Sequence, residues 1–412
     1  MAPVSPASGF EARSPGLRGR LISSKPRARL IELDILRGFL LLWMTFTHLP
    51  TKVSMISNQT FGFVSGAEGF IFLAAFMVGQ LEYRKEKKGG ELATVRDLAK
   101  RTARVYLYHC GLLVIAFTVF AEMAVTFHRP AVQNLLSFYL LAPKRAAVAA
   151  FLLQYRPSLL DILPMYVIFL AITPLARRMA HRWSWDPVIY LSFGIWAVAQ
   201  FGLRAFLYRK VNLFGFSVPE NSIGAFDLYG WQLLWMVGLA MGTIYAESLI
   251  EPAERSSQVN EMHLSPPLLR LSVGIAVIFF VLRYSPVDHW MDANLLGWLI
   301  DKWHLGSARV INFAAVTIVL VHFGSRLASL KIFAPLALLG QASLEVFCVH
   351  VLCCIAGDLL SHEADPQLPA LTQVVLLVLT VSLLFVTALA RKWWAERRNL
   401  LPQVPVAPPS RA

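Results

Sequence analysis

The sequence predicts an all-α polytopic integral membrane protein, a bundle of about ten transmembrane helices with both termini in the cytoplasm. Three observations carry this. Of the 412 residues, 56% are hydrophobic and only 15% are charged, whereas soluble globular chains carry about 25% charged residues. Apolar runs of roughly 20 residues, the length that crosses a hydrocarbon core, recur along the chain. Lysines and arginines gather between those runs, which is how topology is written into membrane proteins. The mean hydropathy is +0.56, and no polar stretch is long enough to form a separate soluble domain. The net charge of +13 therefore belongs to loops facing the cytoplasm and is no nucleic-acid signal.

Residues 1–30 are rich in Pro, Ser and Arg and have no apolar centre. They read as a disordered, basic cytoplasmic tail, since a cleaved leader needs an apolar region and a small-residue cleavage site. The predicted crossings are 33–50, 60–80, 105–127, 159–176, 188–206, 229–246, 268–284, 310–324, 343–360 and 372–390. The stretch 132–153 is apolar but interrupted by Pro143, Lys144 and Arg145. It reads as an outer loop with interfacial helices, or as a further span. Residues 393–412 form a second cytoplasmic tail. Arg20, Lys25, Arg27 and Arg29, the cluster from Arg84 to Arg104, Arg177, Arg178 and Arg182, and Arg391 to Arg398 then fall on one side. The weak point is the Arg204–Lys210 group, which would sit outside. The four cysteines, Cys110, Cys348, Cys353 and Cys354, lie inside apolar runs and read as buried thiols.

The chemistry concentrates at 33–80, where LDILRGFLLLWMTFTHLP precedes FGFVSGAEGFIFLAAFMVGQ. Ionisable groups at bilayer depth are expensive, so they face a protein interior or a wet cavity and mark function. Arg37 and His48 are eleven residues apart, close to three helical turns. They share one face, separated by roughly 16 Å along the axis. His48 alone reads as an interfacial histidine, and Arg37 alone as a positive-inside anchor; their common register favours a site. Asp34 is a helix-start acid or a partner for Arg37. Glu68, between small residues in SGAEGF, sits where helices approach closely. Asp161 and Tyr166 enter the fourth span in LLDILPMYVIF, Arg309 opens the eighth, and His350 lies in LLGQASLEVFCVH. Asp161, Tyr166 and His350 each also have a plain reading, as a helix-start acid, a bundle aromatic and a histidine on a backbone carbonyl. The glycines of GLAMG at 238–242 read as a packing face rather than a ligand loop. No P-loop, nucleophile elbow or zinc-type cysteine pair is present.

DILRGFLLLWMTFTHLP resembles the opening helix of the acyltransferase-3 superfamily, whose hallmark is an arginine followed eleven positions later by a histidine. With VSGAEGFIFLAAFMVG, LDILPMYVIFLAITPL and LGQASLEVFCVH, the closer resemblance is to the OpgC family, which succinylates osmoregulated periplasmic glucans. These segments extend from residue 33 to 350. The chain has Ala74 and Ala75 where the family usually carries a serine or a small-residue glycine turn after FIFL. That departure bears on helix packing and leaves the chemical groups in place.

The resemblance implies a transmembrane acyltransferase domain at 31–392 in a bacterial inner membrane. It would take an acyl group from a cytoplasmic acyl-CoA, succinyl-CoA by preference, to a hydroxyl of a periplasmic glucan, with no metal. Arg37 and His48 would be the hallmark pair, with Glu68 in the second-helix signature. On this reading His48, Glu68 and Asp161 are catalytic, His48 taking the hydroxyl proton while Glu68 or Asp161 fixes its tautomer. Arg37, Asp34, Tyr166, Arg309 and His350 bind substrate, Arg37 holding the CoA end and Arg309 a succinyl carboxylate. Direct transfer and a transient acyl-His48 both stay open. The other partners expected are lipid and either the glucan-synthesis machinery or a second copy of the chain. The rival class is a multi-pass transporter or exporter of a glycan or small anion, because Glu, His and Asp also build proton relays.

Overall fold

A computed structural model describes residues 31–212, 218–250, 265–286, 291–361 and 368–400. The tail at 1–30 and residues 401–412 lie outside the described residues. Every regular element described is helical. In order they are α1 (Ile31–His48), α2 (Val53–Ser57), α3 (Gly66–Ile115), α4 (Ala121–Thr126), α5 (Pro130–Leu135), α6 (Ser137–Leu141), α7 (Pro143–Phe151), α8 (Ile162–Trp183) and α9 (Trp185–Ala199). They continue as α10 (Leu203–Asn212), α11 (Leu228–Ile250), α12 (Pro266–Tyr284), α13 (Ala293–Leu299), α14 (Ser307–Ala328), α15 (Ala334–Gln341), α16 (Ser343–Leu360) and α17 (Ala370–Leu400). Among the described residues, seven helices are long and apolar enough to cross a membrane, and an eighth if the bent pair α9–α10 is one span. The chain is an all-α membrane protein. The four cysteines are unpaired thiols, Cys348 and Cys354 buried and Cys110 and Cys353 half-buried.

Two expectations about the elements are corrected. The charged stretch before residue 105, expected as a loop, is helical. Its Glu, Lys, Leu and Ala are strong helix formers, and only Gly90, at φ +78°, breaks the run. The chain folds back there. Lys85 and Asp97, twelve residues apart in sequence, form an ion pair of 2.9 Å, whereas a straight helix would separate them by about 18 Å. The span expected at 188–206 is two helices bent by 82° around Gly202, at φ +84°. The last helix, α17, runs to Leu400, into the segment read as a tail. The stretch 132–153 forms short helices, with Pro130 and Pro143 in first turns, where a missing N–H costs nothing. One face of these helices packs into the protein. Val132, Leu136, Ala146 and Ala150 are fully buried, and Tyr106 donates to the Phe151 carbonyl at 2.9 Å.

Two close contacts fix how the site helices sit. α1 and α15 meet backbone to backbone: a Cβ on Gly38 would strike the Leu336 carbonyl, and one on Gly340 the Asp34 carbonyl. α3 and α11 run parallel, with Gly238 against the Phe72 carbonyl and Gly242 against the Phe76 carbonyl. The GLAMG glycines are thus a packing face, and buried Ala75 lies beside Gly238. Small residues let membrane helices approach this closely, where packing rather than hydrophobic burial holds helices together. Gly242→Leu is expected to destabilise the fold by about 1–3 kcal/mol through overpacking. Gly274→Leu on α12, where nothing lies within 4 Å, is expected to be neutral. Thermal unfolding in detergent checks both, and equal melting of the two variants would contradict the α3–α11 contact.

Candidate functional site

α1 and α16 run side by side in the same direction. Arg37 donates to Ser343 Oγ at the start of α16. Two turns on, Thr45 Oγ1 lies 3.0 Å from His350 Nδ1, and beyond the helix end Pro50 packs on Gly357. The His48 and His350 rings are 5.6 Å apart between centroids. Arg37 and His48 therefore both face α16, as their spacing requires. The His350 tautomer follows from one hydroxyl. Thr45 Oγ1 donates its single proton to the Leu41 carbonyl at 2.8 Å, so it can only accept from His350, and Nδ1 carries the hydrogen. The Nε2 of a neutral His350 is then the lone-pair nitrogen. Cys354 Sγ lies 3.5 Å from the same Nδ1. Thr45 and His350 are almost wholly buried, while His48 is half-buried.

Next to this pair sits a buried ion pair. The S-G-A-E sequence makes a capping box at the start of α3. One Glu68 oxygen accepts from Ser65 N at 3.0 Å and from Ser65 Oγ at 2.5 Å. The other accepts from Arg309 Nε at 2.9 Å and from the end of the same guanidinium. Both side chains are fully buried. One turn further along α14, Asn312 Oδ1 accepts from Phe63 N at 2.8 Å, holding the segment that leads into α3.

The remaining predicted residues lie in different places. Asp161, preceding α8, accepts from Ala225 N at 3.1 Å. Asp34 is buried beside the α15 crossing, at the Arg37 end of α1. Tyr166 accepts from Arg101 at 2.8 Å and packs edge-on to Trp235, with ring centroids 5.2 Å apart. Tyr166 is therefore an α3–α8–α11 contact. Both carboxylates expected to orient His48 are engaged elsewhere, Glu68 by Arg309 and Ser65, and Asp161 by Ala225. The group facing His48 is the His350 ring. Arg309, expected to receive a donor carboxylate, is neutralised by Glu68.

The residue that the sequence reading passed over is Lys302. It lies in the loop 301–306, DKWHLG, clamped by the buried ends of two helices. Trp231 Nε1 donates to the Trp303 carbonyl at 3.1 Å and Trp196 Nε1 to the Leu305 carbonyl at 2.8 Å. Gln200 Nε2 donates to the His304 carbonyl at 2.8 Å, and a Cβ on Gly230 would strike that carbonyl. Within the loop, Asp301 holds His304 Nδ1 at 2.5 Å, and this bond keeps the imidazole above its ordinary histidine value. Burial pushes the nearby Asp227 carboxyl up. Burial also draws the Lys302 ammonium below the ordinary lysine value, with Glu68, Arg309 and Asp161 as its charged neighbours. The clue in the sequence was a polar and aromatic run placed directly ahead of an apolar helix.

A family model described as OpgC protein matches residues 29–396. No curated protein and no solved structure matches the chain. The match takes in α1, with its arginine and histidine, the Glu68 signature, the Lys302 loop and α16. This chain belongs to the OpgC family.

Proposed function

We propose that the chain is a membrane O-acyltransferase that moves an acyl group, succinyl by preference, from cytoplasmic acyl-CoA to a hydroxyl of a periplasmic glucan. The observation that carries this is the parallel pairing of α1 with α16, which presents Arg37 at one end of a single helix–helix seam and His48 with His350 at the other. Arg37 holds the CoA end of the donor, and the pantetheine arm covers the distance set by the eleven-residue spacing. At the histidine end, His48 takes the proton of the acceptor hydroxyl. The hydroxyl oxygen attacks the thioester carbonyl, the C–S bond breaks, and the sulfur leaves with the proton from His48 as the free CoA thiol. His350, its Nδ1–H spent on Thr45, offers Nε2 as the neighbouring acceptor that keeps His48 oriented.

The topology proposed with this is ten crossings and cytoplasmic termini in a bacterial inner membrane. It counts α1, both arms of the Gly90 reversal and the bent α9–α10 pair as single passes. The parallel pairs support it. α1 with α16, and the first arm of α3 with α11, are the first and ninth and the second and sixth passes, and passes of like parity run the same way. Of the Arg204–Lys210 group that runs against the charge rule, Arg204 turns inward and donates to the Gly224 carbonyl at 2.5 Å. The test is purified protein in nanodiscs with labelled succinyl-CoA and a β-glucan. Label is expected in the glucan with release of one free thiol per transfer. A carrier would leave donor and acceptor unchanged, and that outcome would remove the enzyme reading.

A further inference from the structure

Among the described residues, Lys302 is a cation whose charged neighbours all lie beyond hydrogen-bond range. Arg309 is neutralised by Glu68 at hydrogen-bond range, and Asp161 is taken by the Ala225 N–H. The Lys302 carbonyl accepts from Trp231 Nε1 at 3.2 Å, while its ammonium makes no hydrogen bond or ion pair with a described residue. Its ammonium instead lies over two aromatic rings, 5.9 Å from the centre of Phe226 and 5.1 Å from that of Trp303. The rings do not saturate its hydrogen-bonding capacity, since an ammonium carries three donors. Its position is imposed by the backbone, because the tryptophans and Gln200 that clamp 301–306 leave the loop no freedom to withdraw it. The loop leads directly into α14, whose Arg309 bonds Glu68 at the start of α3, and Gly66 there packs against Met44, one turn before His48 on α1, so Lys302 lies toward the His48 end of the bundle.

We propose that Lys302 is the specificity-determining residue that receives the free carboxylate of a dicarboxylic acyl donor. The inference rests on the acyltransferase reading above and adds to it which residue selects the acyl group. With the thioester carbonyl at His48, the distal carboxyl carbon of a succinyl group lies three C–C bonds on, about 4 Å as the crow flies. That is the reach a cation beside the histidine has to cover. A preplaced ammonium over aromatic rings, with no carboxylate bonded to it, suits a monoanion. An acetyl donor has nothing to place there. The buried ion pair of Glu68 and Arg309 cannot do this work without first breaking.

The experiment measures kcat and KM for succinyl-CoA and acetyl-CoA with a β-glucan acceptor, using the full chain in nanodiscs. Wild type is expected to prefer the succinyl donor. Lys302→Met is expected to lower the succinyl-to-acetyl ratio of kcat/KM by about tenfold or more, the effect of losing a charge-assisted hydrogen bond. The loss should appear mainly in KM for succinyl-CoA, and Lys302→Arg should keep the ratio near wild type. An unchanged ratio in Lys302→Met, including equal loss with both donors, overturns the assignment. So does a wild-type protein indifferent to the two donors, although acyl transfer itself would then stand. A wild type that transfers neither donor refutes the acyltransferase reading instead.

Discussion

Replacing His48 with alanine is expected to lower acyl transfer by about 10²- to 10⁴-fold, the range that a positioned acid–base group contributes. The expectation comes from where the ring lies. His48 is the half-buried member of a histidine pair whose other ring is fixed by Thr45 and enclosed. On the proposed reading an acceptor sugar would reach His48 before His350. His350→Gln is expected to cost less, since it removes an orienting neighbour and leaves the base. Initial rates with labelled donor check both variants, alongside unfolding curves that confirm each is folded. A His48→Ala protein that transfers at the wild-type rate would take the imidazole out of the chemistry and leave α1 a structural helix.

Glu68→Gln is expected to give the largest loss of stability of any single substitution at the site. Removing one partner leaves the Arg309 guanidinium fully buried without its counter-charge, a change that costs about 3–5 kcal/mol in buried pairs. The same substitution weakens the capping box that starts α3. Arg309→Met combined with Glu68→Gln should recover much of the loss, because the uncompensated charge is gone and an apolar side chain of similar length fills the space. Detergent melting of the single and double variants checks this. A Glu68→Gln protein that melts with wild type would mean that the pair is hydrated rather than buried. The Glu68 bonds tie the start of α3 to the start of α14.

The elements that matter most were legible residue by residue. The ninth span was read at 343–360, and α16 occupies Ser343–Leu360. α1 begins two residues before its expected start and ends at His48. The glycine pair at 238 and 242 was legible as packing because small residues four apart share one helix face. The reversal at Gly90 was not. A charge-rich segment reads as a loop in a membrane sequence, yet its residue types favour helix and only one glycine turns the chain. The bend at Gly202 escaped for the related reason that the apolar run continues through it.

The amino-acid sequence by itself determined the class of protein, the helices that carry the ionisable groups, and the common face of Arg37 and His48. Those properties are local, set by hydropathy over about 20 residues and by a repeat of 3.6 residues per turn. Only the tertiary structure decided who partners whom. His350 meets Thr45 across 305 residues and Arg309 meets Glu68 across 241. Those pairings moved the carboxylates away from His48, satisfied Arg309, and left Lys302 without a counter-charge in contact. No periodicity encodes them, because which helices become neighbours is settled by close packing at Gly38, Gly340, Gly238 and Gly242 and by the cost of burying a charge unpaired.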